Sequence, residues 1–109
     1  MVVSEKNVSD ALTYLADDPH PVARARHELT NCTNAAKRLF AEAFLAAEGS
    51  VDARKAKAEI NSSYLMAKRD EAEAELELER HRSRVKAAET IIEVWRSENA
   101  NIRAAERIR

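Results

Sequence analysis

The chain has one glycine, two prolines, one cysteine and one tryptophan in 109 residues, with only two Phe, two Tyr and two Met beside them. Each scarcity excludes something. A single glycine cannot build a phosphate-cradling loop. A single cysteine, Cys32, excludes an intramolecular disulfide, and its neighbours put it on the apolar stripe of a helix, where packing is its plain role. So few large apolar side chains leave little for a large globular core. No apolar run is long enough for a membrane span, and the N-terminus lacks the basic and apolar regions of a signal peptide, so a cytoplasmic setting without membrane contact is expected. The three histidines, His20, His27 and His81, form no serine-histidine-acid grouping at local spacing. Glu77 and His81 share a helix face but would need further ligands to hold a metal. The expectation is a protein that is not an enzyme, with no metal and no cofactor.

What is present is alanine and charge. Twenty-one alanines supply the best helix propensity and little buried area, and 34% of the residues are charged. The net charge of −1 argues against a strongly basic polyanion binder. Its distribution is uneven: residues 50–79 sum to −3 and residues 80–109 to +4. Acids early and bases late suit the macrodipole of a long helix. The acidic run "DEAEAELELE" at 70–79 reads as a solvated helix face with Ala74 and Leu78 inward, or as one half of a charge pairing between antiparallel copies.

Periodicity predicts an all-α helical hairpin in one domain, with a short N-terminal helix over about 8–16 and further helices over about 21–48, 51–60 and 63–107. Val8, Leu12 and Leu15 mark one face of the first. "DDPHP" ends it, and Pro21 suits the first position of the second. There Val22, Ala25, Leu29, Cys32, Ala36, Leu39, Ala43 and Ala46 recur by alternating threes and fours. Gly49 is placed where a helix C-cap needs a left-handed residue, and Ser50 can cap the next helix, so 49–50 is a tight turn. At "NSS", 61–63, a short interruption is expected, with Ser62 or Ser63 as the new cap.

The last stretch carries Ile60, Tyr64, Ala67, Ala74, Leu78, Val85, Ala88, Ile92, Trp95 and Ile102 on one heptad frame, with Glu71, His81 and Asn99 as polar members. His81 is expected to fix register. At 1.5 Å per residue the final helix would run about 67 Å against about 42 Å for its hairpin partner, so Ile92, Trp95 and Ile102 need cover from elsewhere. A second copy, making a homo-oligomer and most simply a dimer, is the first candidate. Folding back of the 8–16 helix is the alternative.

The stretch "EVWRSENANIR", 93–103, holds the only tryptophan. Trp95 is expected to be an inward seam anchor, and Arg96 and Arg103, seven apart, lie together on its flank. With Asn99 and Arg107 they form the candidate binding group, for a protein groove or for unpaired bases. Arg80, Arg82, Arg84 and Arg109 extend the basic last third.

Two segments, "AKRLFAEAFLAAEGSVDARKAKAE" and "EVWRSENANIR", resemble a group of short helical proteins encoded by tailed bacteriophages and prophages. The resemblance spans roughly Ala11 to Arg103 and is carried by the turn (Gly49, Ser50, Val51, Arg54) and the terminal motif (Val94, Trp95, Arg96, Ser97, Asn99, Ala100, Arg103). The sequence departs from it at Glu98, where leucine is usual, and at Ile102, where a basic residue is usual. What the resemblance implies is an early-region protein in a bacterial host cytoplasm, encoded near single-strand annealing genes. It would be an accessory in phage DNA recombination or replication, with a phage or host DNA-metabolism protein as partner. Direct single-stranded DNA binding and inhibition of a host defence or repair enzyme are the alternatives.

Overall fold

The computed structural model describes residues 3 to 108. Four helices follow one another, α1 (Glu5–Ala16), α2 (Pro21–Ala46), α3 (Val51–Glu59) and α4 (Ser62–Ile108), with no strand among the described residues. The chain is an all-α helical hairpin protein with a long C-terminal helix.

Each boundary has a local cause. α1 begins at Glu5, earlier than the apolar spacing indicates, because Ser4 caps it: its Oγ accepts the Asn7 amide at 3.1 Å. Pro21 opens α2, where its missing N–H costs nothing. α2 ends at Ala46, and Gly49 then takes φ +116°, a region that L side chains rarely adopt. Ser50 caps α3 by accepting from Ala53 N at 3.1 Å. The cap of α4 is Asn61 rather than Ser62 or Ser63: its side-chain oxygen accepts from Tyr64 N at 3.1 Å and its carbonyl from Leu65 N at 2.9 Å. Asn outranks Ser little in capping, but here it stands directly after Ile60, whose φ of −101° and ψ of 2° end α3. Ile60 is therefore an exposed cap residue, outside the seam in which the heptad count placed it.

Two compact units result, one of residues 22–79 and one of residues 1–21 with 80–109. In the first, α2 runs antiparallel to the opening of α4, with Phe40 edge-on to Tyr64 at 5.2 Å and Ala25, Ala36, Ala67, Ala74 and Leu78 buried. Glu71 lies on this seam and is satisfied there by Lys68 at 2.6 Å and by Thr33. Those hydrogen bonds, with the nearby charge of Lys37, hold its carboxyl below the usual carboxylate range. The turn is held by side chains as well: Arg54 Nε donates to the Phe44 carbonyl at 3.1 Å with its guanidinium 4.4 Å over the Phe44 ring, and Lys57 donates to the Glu48 carbonyl at 2.8 Å. The first adds to the Ala47 amide, which reaches the same Phe44 carbonyl at 3.3 Å, and the second engages a carbonyl in the turn beyond α2.

In the second unit α1 packs antiparallel on the rest of α4. Val3, Val8, Ala11 and Ala88 are buried, whereas Leu12, expected inward, is 53% exposed. Tyr14 sets the rotation of α1. Its hydroxyl meets His81 Nδ1 at 3.1 Å and the His81 carbonyl at 3.3 Å, its ring stacks on His20 at 5.0 Å, and the Arg84 guanidinium lies 4.3 Å over it. Ala11 then faces α4 and Leu12 turns outward.

Candidate interaction surface

The inward positions of α4 follow the heptad frame from Tyr64 onward. Leu78 is 3% exposed, and His81, Val85 and Ile92 are half-buried. The cover expected from a second chain is supplied, as far as Glu98, by α1: the Val3 amide donates to Glu98 Oε2 at 3.1 Å. His81 is a polar seam residue, and its partner is the Tyr14 hydroxyl. Sequence reasoning missed Tyr14 altogether, since an aromatic at a single position of a short helix gives no periodic signal.

From Trp95 onward the cover of the seam is incomplete among the described residues. Trp95 is 36% exposed and Ile102 55%, so within one chain Trp95 is not the buried anchor its frame position suggests. Val3, two residues ahead of α1, is the residue that meets Glu98, and Ile102 lies one further turn along α4. Trp95, Arg96, Asn99, Ile102 and Arg103 together line one shallow depression. Of the four candidate binding residues, Arg96, Asn99 and Arg103 are thus brought together. Arg107 stands exposed one turn further on, outside the depression. Among the described residues none of Arg96, Arg103 and Arg107 takes part in an ion pair.

The other basic residues of the last third are placed differently. Arg84 lies over Tyr14, and Arg80 and Arg82 are engaged with neighbours. Arg109 lies outside the described residues. Among the described arginines of the last third, those outside any ion pair or ring contact therefore fall at 96, 103 and 107, beside Trp95. Among the described residues no group of His, Cys, Asp or Glu is gathered closely enough to hold a metal ion, and no helix is long and apolar enough to cross a membrane. Gly49 and Ser50, the turn residues, lie in the other unit and serve the backbone there.

Comparison with protein-family models, with curated proteins and with solved structures finds no match to this chain.

Proposed function

We propose that this protein is a non-catalytic helical adaptor that holds a protein of phage DNA recombination or replication at the C-terminal end of α4. The observation that carries the reading is the juxtaposition of a partly exposed Trp95 and an exposed Ile102 with arginines 96, 103 and 107, which are outside any ion pair among the described residues. Tryptophan and arginine are the side chains that most often dominate protein–protein affinity, because one contributes a large rigid apolar area and the other a planar fork of donors. The phage setting rests on the sequence resemblance. Affinity purification at native expression, with wild type and Arg96→Ala/Arg103→Ala in parallel, tests it. The expected result is a DNA-metabolism protein recovered by wild type and lost with the variant, at unchanged helicity. Recovery of no such protein, or equal recovery by both, would count against it.

Direct single-strand binding is the second reading, favoured by the arginine beside a half-exposed ring. Trp95 reports on it alone, as the only tryptophan. Quenching by oligonucleotide that fades as salt rises would support it, and quenching insensitive to salt would exclude a phosphate-driven mode.

A further inference from the structure

We propose that the exposed end of α4, from Trp95 on, pairs with the same segment of a second copy, parallel and in register, as a short two-stranded coiled coil through Asn99 and Ile102. This rests on the adaptor reading and divides its surface: the second copy takes the seam of Trp95 and Ile102, and Arg96 and Arg107 are left outside for the other protein. In the α4 heptads Ile92 and Asn99 occupy a positions and Trp95 and Ile102 occupy d positions; Arg96 and Arg103 are then e, and Ile91, Glu98 and Ala105 are g. Three features point to a second copy rather than an unrelated helix, and to one orientation.

First, the flanks complement each other across a parallel two-fold axis. There each g residue faces the e residue five places later on the other strand, so Glu98 of each copy meets Arg103 of the other, twice per dimer. Val3 N engages Glu98 Oε2, and a carboxylate has a second oxygen with which to accept from Arg103 of the other copy. In the antiparallel arrangement e faces e, and Arg96 would be set against Arg103 of the second copy. Like charges there oppose pairing. Second, Asn99 is half-buried in the depression although its neighbours on the seam are apolar. A single asparagine at an a position is satisfied by its own counterpart when two strands are parallel and in register, and it specifies that state at some cost in stability. Third, the single chain hides little: among the described residues seven of the ten buried apolar residues are alanine and none is a large side chain fully enclosed, while Trp95 is 36% and Ile102 55% exposed. α1 already orders α4 up to Glu98, so the pairing need not nucleate a helix from coil.

The test uses the full chain and needs no other protein. Sedimentation velocity should show wild type as a concentration-dependent dimer. Glu98→Arg and Arg103→Glu, each alone, set two like-charged contacts across the axis and should raise the dimer Kd about tenfold. Mixed in equal amounts, the two variants should regain wild-type affinity as a heterodimer, because every crossed pair is again opposite in sign. As Glu98 also holds the Val3 amide, a second measurement avoids it: in a Cys32→Ala background, Ile102→Cys should form an intermolecular disulfide in a glutathione buffer, and Ser97→Cys, on the outer face, should not. A monomeric wild type, a mixture no tighter than the single variants, or equal cross-linking at 97 and 102 would overturn the pairing. Capture of a DNA-metabolism protein is read separately by Arg96→Ala/Arg107→Ala, which leaves the Glu98–Arg103 contact intact: capture lost from a variant that still dimerises belongs to the adaptor reading alone.

Discussion

Gly49 and Trp95 are the two residues whose identity the fold uses most differently. At Gly49 the backbone sits at φ +116°, and an added Cβ would stand 3.3 Å from the Ala53 Cβ. Both effects act on stability and neither on chemistry. Gly49→Val is expected to destabilise by about 1–3 kcal/mol, read as a lower urea midpoint at unchanged far-ultraviolet spectrum. An unchanged midpoint would mean the turn tolerates a side chain and the strain account fails. Trp95 is the converse case. Removing a buried tryptophan costs about 3–5 kcal/mol, but Trp95 is 36% exposed, so Trp95→Ala should cost a single chain less than that range. In a dilute sample the melting point should fall only slightly, and in a concentrated one it should fall more. Equal losses at both concentrations would show that the ring stabilises the monomer alone.

Elements in this protein are positioned by a few polar contacts more than by bulk. Tyr14 rotates α1, Asn61 starts α4 and Arg54 closes the end of α2. The α2–α4 pairing has its own in Glu71, whose carboxyl is held below the ordinary range chiefly by the Lys68 hydrogen bond and then by Thr33. A carboxylate depressed in the folded state stabilises above its unfolded pKa, and that stability is lost as pH falls through the folded value. Urea unfolding should therefore show weakening on acidification below the usual glutamate range. Glu71→Gln should be less stable than wild type at neutral pH and should show a shallower acid dependence. If the acid limb is identical in the two proteins, Glu71 is not its source.

For the whole molecule, alanine sets the energetics. Alanine seams let helices approach closely, yet each buries little apolar area, so the surface exposed on unfolding is small for a chain of 109 residues. The urea m-value should lie near the lower end of the usual range, about 1 kcal/mol/M, with a strongly helical circular dichroism spectrum. A melting temperature that rises with protein concentration is expected as well, since a second copy binding only the folded chain stabilises it by mass action. Strand signal in the spectrum would contradict the fold, and a melting temperature independent of concentration would contradict the pairing.

The sequence by itself determined that the chain is helical, where it turns, and which face of α4 points inward, because those depend on propensity, on proline and glycine, and on a period that repeats along one element. Ala67, Ala74, Leu78 and Ala88 lie buried on the frame counted from the residues alone. Tertiary structure alone decided which element covers that face and where the cover stops. Val8, Leu12 and Leu15 fit a helical stripe equally well whether α1 packs on its own chain or leaves the seam to another. The choice turns on a hydroxyl reaching His81 and an amide reaching Glu98, across separations of 67 and 95 residues. Contacts between residues so far apart carry no local pattern, and so how far Trp95 and Ile102 are exposed depends on how the N-terminal segment lies on α4 rather than on anything in their own neighbourhood.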